Sequence, residues 1–318
     1  MIKILDEENP ELFIRAKNQN NWFTPIACAS AFKGIIQMLD LEELQNWLSN
    51  YDVKTQKSPK SIGVLMAGNI PSVGFHDLMC VLLSGHKAAV KLSTSDSVLM
   101  LWIIERLIEA NKGLEDFISV EPMLKNKDAY IATGSDNSSR YFDYYFGKYP
   151  HIIRKNRTSI AVLTGEETEE EVLNLGKDIF TYFGLGCRNV SKIYVKDKID
   201  LQSLLGYLET YNWVADHHKY FNNYEYNKSI YLVNKTPHLD NGFVLLKEDS
   251  QLVSPIAVLY YEVYDTDKDL KNKLERDREK IQCIVGGGQN YIPFGAAQYP
   301  SVSDYADGVD TMSFLTQL

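Results

Sequence analysis

Short, nearly continuous apolar runs alternate along the chain with longer segments whose apolar residues recur at helical spacing. In the first half, the apolar runs predict buried strands at 61–67, 88–92 and 128–132. Helices are predicted at 41–48 behind Asp40 as N-cap, at 75–83 closed by Gly85, at about 99–107 capped by Ser93 or Ser95, and at 141–146. Strands that alternate with helices at this spacing indicate βαβ units, so the pattern predicts an α/β fold with a mainly parallel sheet.

The alternation continues in the second half. Strands are predicted at 159–163, 192–195, 229–233, 243–246, 257–264 and 281–285. Helices are predicted from the acidic run 166–171 to about Tyr182, at 201–211 and at 215–226. Acidic residues in a first helical turn compensate the helix dipole, so we assign this run no chemistry. We expect the chain to cross back to the first half at Gly286-Gly287-Gly288.

Polar or glycine-containing turns follow three predicted strands of the first half. They are Gly68-Asn69, Leu92-Ser93 and Thr133-Gly134-Ser135. Parallel βαβ crossovers place ligands at the carboxyl ends of strands. The turns therefore predict a nucleotide site in the first half, although none of them is a G-x-G-x-x-G fingerprint.

Composition narrows the classes of protein to consider. The chain has 318 residues, 45% of them hydrophobic and 24% charged, which suits one large domain or two ordinary ones. Its net charge of −9 and isoelectric point near 5.3 argue against nucleic acid or an anionic membrane surface as partners. The amino terminus lacks a signal-peptide pattern, and no apolar run has the length of a membrane span.

The four cysteines are scattered, so they predict neither a disulfide framework nor a zinc site. We therefore expect a protein of a reducing compartment, the cytoplasm. Cys28, Cys80 and Cys283 lie in apolar settings and are predicted to be small core residues.

Cys187 is the candidate nucleophile. It stands in the stretch Phe183-Gly184-Leu185-Gly186-Cys187-Arg188-Asn189. The glycines permit a sharp turn and a close ligand, and the cation and amide that follow could favour a thiolate. From the residues alone, the alternative is a cysteine in an ordinary helix-to-strand turn.

Several motifs between about residue 60 and the end of the chain carry a family resemblance. They are Gly68-Asn69-Ile70-Pro71-Ser72-Val73-Gly74-Phe75-His76-Asp77, Ser84-Gly85-His86-Lys87, Val90-Lys91-Leu92-Ser93, Ile292-Pro293-Phe294-Gly295, and Asp304-Tyr305-Ala306-Asp307-Gly308 with Asp310-Thr311 and Phe314-Leu315. In this order they resemble the aldehyde dehydrogenase superfamily and, more closely, its LuxC-type acyl-CoA reductase branch. The resemblance implies two Rossmann-like α/β domains. A nicotinamide-cofactor domain would cover 1–157, with 289–318 returning to it, and a catalytic domain would cover 158–288.

The resemblance gives a role to each candidate site residue. Cys187 matches the nucleophile, and Asn69 matches the asparagine whose amide holds the oxyanion together with the backbone N–H of the nucleophile. The matches to cofactor contacts are Lys91 and Ser93 at the adenine ribose or its 2′-phosphate, Gly134 and Ser135 under the pyrophosphate, and Gln251 at the nicotinamide ribose, where many relatives place glutamate. From the residues alone, Asn69 is also a turn asparagine, Lys91 a surface lysine and Thr133-Gly134-Ser135 a helix cap.

One departure from the superfamily bears on the reaction. Hydrolytic aldehyde dehydrogenases carry a general-base glutamate in a Glu-Leu-Gly-Gly motif, whereas the matching stretch here is Ile153-Arg154-Lys155-Asn156-Arg157-Thr158. Without a base to activate water, an acyl-cysteine thioester should persist until a thiol or a hydride attacks it. The resemblance thus implies NADPH-dependent reduction of a fatty acyl-CoA or acyl-protein thioester to an aldehyde, with coenzyme A as leaving group or co-substrate.

Two other functions stay open at this point. One is the oxidative direction, in which a short aldehyde and NAD give an acyl-CoA, and the other is a non-catalytic cofactor-binding subunit of a larger complex. The implied partners are an acyl-transferase or acyl-protein synthetase and further copies of the chain, and no metal is expected. His217-His218 lacks a metal-ligand spacing, and His76 is expected to cap or pack rather than to assist proton transfer.

Overall fold

A computed structural model describes residues 9–53, 58–134, 136–196 and 200–318. The chain divides into two compact units. The first unit takes the chain as far as Asn156 together with Pro300–Leu318, and the second takes Arg157–Tyr299. The stretch 289–299, which the predicted division gives to the first domain, lies in the second unit.

The first unit contains a five-stranded parallel sheet. Its strands are β1 (Ser61–Leu65), β2 (Lys87–Lys91), β3 (Ile118–Val120), β4 (Ala129–Thr133) and β5 (His151–Arg154), in the order β3-β2-β1-β4-β5. Its helices are α1 (Pro10–Gln19), α2 (Pro25–Met38), α3 (Leu41–Leu48), α4 (Phe75–Leu83), α5 (Ser97–Ala110), α6 (Asp136–Phe146) and, at the end of the chain, α11 (Thr311–Thr316). The strand order reverses between β1 and β4, which is where open α/β sheets bind ligands.

The core of the first unit forms because its strands are apolar on both faces. Ile62 and Val64 of β1 and Val90 of β2 are fully buried. Met312 and Leu315 of α11 are fully buried in the same apolar cluster. The carboxyl-terminal helix is therefore part of this core.

Arg154, at the end of the edge strand β5, links that strand to α4 through a buried ion pair and to α11 through a hydrogen bond. Arg154, the last residue of β5, donates from Nη1 to Asp77 Oδ2 over 2.5 Å and from Nη2 to Thr311 Oγ1 over 2.8 Å. The side chains of Arg154 and Asp77 are only 3% and 12% exposed, so water screens the pair weakly. The guanidinium thus joins three segments that are far apart in sequence.

The second unit contains a six-stranded sheet. Its strands are β6 (Thr158–Leu163), β7 (Val190–Lys196), β8 (Leu239–Asp240), β9 (Leu245–Glu248), β10 (Val258–Tyr264) and β11 (Ile281–Val285), in the order β11-β6-β7-β10-β9-β8. Its helices are α7 (Glu169–Phe180), α8 (Leu201–Tyr207), α9 (His218–Val233) and α10 (Asp267–Asp277). Only the short pair β8–β9 is antiparallel among the pairs of the described strands. The mainly parallel sheets confirm the predicted α/β class.

Two local predictions are wrong. The stretch 229–233 is the last part of helix α9, because a short apolar run is equally compatible with a helix end and a strand. The helix predicted to be capped by Ser93 or Ser95 begins at Ser97, with Asp96 at the N-cap position. The Ser93 hydroxyl oxygen accepts the N–H of Ser95 at 3.2 Å and closes a turn before the helix.

Candidate active site

Cys187 lies in the turn between α7 and β7, and the side chain of Asn189 holds that turn closed. Asn189 Oδ1 accepts the N–H of Gly186 at 2.9 Å. Its Nδ2 donates to the carbonyl oxygens at the end of α7, at 3.2 Å to both Asp178 and Ile179 and also to Thr181. Asn189 is 2% exposed, so these bonds replace the water that its amide and the helix carbonyls would otherwise bind.

A hydrogen bond joins the backbone carbonyl of Cys187 to strand β6 in the sheet of the second unit. Ser159, on β6, donates from Oγ to Cys187 O over 3.0 Å. Ser159 Oγ also lies 3.0 Å from the sulfur of Cys283 on β11. Ser159 is fully buried and Cys187 is half-buried, so the backbone is fixed while the residue keeps partial access to solvent.

A second turn, Pro293 to Ala297, is attached to the same segment. The carboxylate of Asp178 in α7 accepts the N–H of Gly295 at 2.6 Å and of Ala297 at 3.0 Å. Arg188 donates from Nε to the carbonyl oxygen of Ala297 over 2.6 Å. Burial raises the pKa of Asp178 to about 6, although the two backbone N–H groups oppose the shift.

The chain approaches Cys187 through two residues in the left-handed backbone region. Tyr182 has φ 58° and Phe183 has φ 57°, and Gly184 follows at φ 80°. Such conformations are uncommon for non-glycine residues and occur often at functional sites. The sequence predicts a helix to about Tyr182, but α7 ends at Phe180 and a 3-10 turn follows.

An apolar cleft lies beside the Cys187 turn. Its cavity volume is about 30 Å³, roughly the space that one water molecule takes. Gly184 and Val190, three residues on either side of Cys187, line it together with Phe183, Tyr220 and Ile256. The lining is mostly apolar, but a cavity of this volume is too small to hold an acyl chain unless its walls move.

In the first unit, the three predicted strand ends lie at one edge of the parallel sheet, next to the reversal of strand order. Asn69 is exposed after β1, Lys91 and Ser93 are half-buried at the end of β2, and Gly134 is half-buried after β4. Ser135 lies outside the described residues. The structure thus places the described candidates of this unit at neighbouring strand ends.

These strand ends fit a phosphate-bearing nucleotide. A Cβ on Gly68 would lie 2.4 Å from Ser93 Oγ, so the first two strand ends approach closely only with glycine there. A Cβ on Gly134 would lie 2.7 Å from the ring of Phe142, which fixes the entry into α6. Lys91 supplies a cation at the same edge.

Gln251 lies in the second unit and is exposed. Two side chains of β7 bind the backbone carbonyls on either side of Gln251. Ser191 donates from Oγ to Leu252 O over 2.9 Å, and Lys192 donates from Nζ to Ser250 O over 3.1 Å. The side chain of Lys192 is fully buried and also donates to the carboxylate of Glu262. Burial lowers the pKa of Lys192, although Glu262 opposes this shift.

A family model described as Acyl-CoA reductase (LuxC) matches residues 36–210, more than half of the chain. The chain belongs to this LuxC family. The predicted family is therefore confirmed.

Two curated relatives resemble this LuxC-family chain over part of their length. It is 22% identical over 199 residues to a long-chain acyl-protein thioester reductase of Aliivibrio fischeri, a match that covers 56% of this chain and 42% of that protein. It is 22% identical over 208 residues to long-chain acyl-protein thioester reductase 2 of Photobacterium leiognathi, covering 58% and 43%. The matches thus span less than half of each relative.

Solved structures, several of them named aldehyde dehydrogenases, share the fold. Aldehyde dehydrogenase C of Pseudomonas syringae, in complex with NAD+ and octanal, superposes with a TM-score of 0.62 at 12% identity, over 86% of this chain and 67% of that one. An NADP-dependent enzyme of E. coli gives 0.64 at 11% identity, over 89% and 70%. At these identities the likeness shows the fold, and the predicted aldehyde-dehydrogenase-like class is confirmed.

The remaining cysteines and His76 of this LuxC-family chain have structural contacts. Burial raises the pKa of Cys28 to about 12 and that of Cys80 well above its usual range, which confirms both as core thiols. Cys283 is half-buried rather than a core residue, and its sulfur lies 3.0 Å from the hydroxyl oxygen of Ser159. His76 donates from Nε2 to Val302 O over 2.9 Å, and burial lowers its pKa.

Over the described ranges, no helix is both long and apolar enough to cross a membrane. In that same part of the chain, no three His, Cys, Asp or Glu residues form a group that could hold a metal ion.

Sequence reasoning missed Ser159, Asp178, Lys192 and Asp96. Each acts through a partner far away along the chain, as Ser159 does with Cys187 and Asp178 with Gly295. Asp96 carries no distinguishing signal in the sequence, because Ser93 and Ser95 precede it as equally good cap residues.

Proposed function

We propose that this LuxC-family chain is an NADPH-dependent acyl thioester reductase that releases an aldehyde through an acyl-enzyme on Cys187. The observation that carries the proposal is the half-buried Cys187 in a turn fixed by Asn189 and Ser159, beside an apolar cleft. A rigid backbone next to an apolar surface suits a nucleophile that accepts the acyl group of an aliphatic thioester.

The first step is acyl transfer. The Cys187 thiolate attacks the thioester carbonyl, a C–S bond forms, and the bond to the departing thiolate breaks. We propose that the amide of Asn69 donates to the oxyanion during this step, a contribution of about 3 kcal/mol for one such donor.

The second step is reduction of the acyl-cysteine. NADPH, when bound, supplies a hydride to the thioester carbon. Lys91, Ser93, Gly134, Ser135 and Gln251 are the proposed residues that hold it. The oxyanion then collapses, the bond from carbon to Cys187 Sγ breaks, and the aldehyde leaves while the thiolate is regenerated.

The residues near the end of β5 support reduction over hydrolysis. The stretch 153–158 contains no carboxylate that could activate water. Its Arg154 is engaged in the buried pair with Asp77. An acyl-cysteine would then have a long enough lifetime to meet a hydride or a thiol.

The acyl donor is an acyl-CoA or an acylated protein, and the names of the two curated relatives favour the acylated protein. An acyl-transferase or acyl-protein synthetase is the proposed partner that delivers it. A homo-oligomer is the proposed assembly.

The test is NADPH consumption with a panel of acyl-CoA chain lengths and an acylated carrier protein, compared between wild type and Cys187→Ala. Cys283→Ser is the matched thiol control, because a serine hydroxyl can keep the hydrogen bond to Ser159. Consumption that depends on chain length and is lost only in Cys187→Ala supports the reductase. Cofactor binding without turnover or acylation would favour a non-catalytic subunit, and turnover only from aldehyde to acyl-CoA would favour the oxidative direction.

A further inference from the structure

Asp96 is a buried residue at an N-cap position whose carboxyl group does not cap its helix. It stands at the N-cap of α5, yet its side chain makes no capping bond to that helix. Instead, its Oδ2 accepts the N–H of Ser72 at 2.8 Å, across 24 residues of sequence. An aspartate at an N-cap normally accepts hydrogen bonds from the first backbone amides of its own helix. The Asp96 carboxyl group instead binds a backbone amide of another segment.

The carboxyl joins the two strand ends proposed to hold the nucleotide. Ser72 lies in the segment between β1 and α4, where its carbonyl oxygen accepts the N–H of Phe75 at 3.0 Å, and Asp96 follows the end of β2, where its N–H bonds Ser93 O at 3.1 Å. A Cβ on Gly68 would lie 2.4 Å from Ser93 Oγ and 3.2 Å from Asp96 Cβ, so the two segments are in close contact. The distance between these two segments therefore depends on the hydrogen bond from the Ser72 N–H to the Asp96 carboxyl group.

The contact constrains a backbone that would otherwise relax. Ser72 has φ 56°, a left-handed conformation that serine seldom adopts, and it is 4% exposed. Asp96 is 1% exposed. Among the described residues, neither Asp96 Oδ1 nor Ser72 Oγ has a hydrogen-bond partner. A buried carboxyl with an unused oxygen costs stability, which indicates a role other than stabilising the fold.

We infer that Asp96 is a positioning residue of the nucleotide site, which holds the segment Gly68–Ser72 after β1 at a fixed distance from the strand end carrying Lys91 and Ser93. The inference rests on the proposed function, because it takes these strand ends as the cofactor site. Asp96 acts through this segment, and no contact between Asp96 and the nucleotide is required.

The charge state of Asp96 offers a readout that a purely structural role would not give. Burial raises the pKa of Asp96 to about 8, with the Ser72 N–H opposing the shift. The titratable group that interacts with it is Cys28 on α2, whose pKa is raised by burial and by the Asp96 charge, while Lys91 is the cation on β2. Raising the pH through about 8 would place a negative charge beneath the site of an anionic nucleotide, so NADPH affinity should fall across that range.

The experiment is a fluorescence titration of the full chain with NADPH between about pH 6 and about pH 10, for wild type, Asp96→Ala and Asp96→Asn. Asp40→Ala is the matched control, since Asp40 is an N-cap of the same unit whose carboxylate bonds the N–H groups of Glu42 and Glu43. Amide hydrogen exchange at Ser72, in the absence of cofactor, gives a second readout.

Asp96→Ala should weaken NADPH binding about tenfold and speed exchange at Ser72. Asp96→Asn keeps an acceptor for Ser72, so it should retain affinity within about threefold and lose the step near pH 8. Wild-type affinity in a folded Asp96→Ala protein, or an equal loss in Asp40→Ala, would overturn the inference while leaving the reductase intact. If wild type binds neither NADPH nor NADH, the proposed function fails and this inference fails with it.

Discussion

The hydroxyl of Ser159 donates to the backbone carbonyl of Cys187 over 3.0 Å, and this bond ties the candidate nucleophile to the central sheet of the second unit. Ser159 is fully buried on β6, so the bond is shielded from competing water. A nucleophile held by a strand is better positioned than one on a free loop. Cys187 therefore belongs to a turn whose geometry the core of the unit sets.

Ser159→Ala should slow acylation of Cys187 without unfolding the chain. A neutral hydrogen bond contributes about 1 kcal/mol, so a loss of this size in the transition state corresponds to a rate about fivefold lower. The measurement is the rate of acyl-enzyme formation by intact mass. Ser84→Ala is the control, because buried Ser84 of the first unit donates to Val81 O over 2.8 Å. An unchanged rate in Ser159→Ala would contradict a positioning role.

Asp178 should make stability depend on pH. Its folded-state pKa of about 6 lies above the ordinary value of 3.8, so the folded chain favours the protonated carboxyl. The contribution of Asp178 to the free energy of unfolding should therefore be complete below about pH 4. It should fall by about 2 to 3 kcal/mol as the pH rises to about 6. Urea unfolding between these pH values measures it. In Asp178→Asn this part of the slope should vanish, and a slope equal to that of wild type would count against the assignment.

Arg154→Met should destabilise the first unit strongly, because it leaves the Asp77 carboxylate buried without its partner. The expected cost is about 3 to 5 kcal/mol in urea unfolding. Adding Asp77→Asn to that variant should restore part of the loss. The control is Arg106→Ala, which breaks an exposed pair with Glu109 and should cost less than about 1 kcal/mol. Equal losses of stability in Arg154→Met and Arg106→Ala would contradict the distinction between the buried and the exposed ion pair.

The strands that the sequence predicts well are those buried on both faces. The run at 61–67 contains Ile62 and Val64, and it forms the central strand β1, in which the three middle residues are buried and the two end residues are partly exposed. The run at 229–233 fails because Tyr231 is buried while Val233 is 81% exposed, which suits the end of a helix that reaches the surface. Short apolar runs do not distinguish these two cases.

The candidate site could be predicted only in its local parts. Glycines around Cys187 and at the strand ends give a local signal, since a turn or a close approach needs them. The side chains that fix the site give none. Asn189 closes its turn by donating to carbonyls at the end of α7, and Asp178 accepts from backbone amides 117 and 119 residues away, so both roles exist only once the fold has formed.

The most direct test of the account is the intact mass of the chain after exposure to an acyl thioester without NADPH. A single acyl adduct should form, peptide mapping should place it on Cys187, and NADPH should discharge it with release of the aldehyde. Cys187→Ala should stay unmodified, whereas Cys283→Ser should be acylated as wild type is. An adduct that persists in Cys187→Ala, or no adduct from either acyl-CoA or an acylated protein, would contradict the acyl-enzyme on which the proposed function depends.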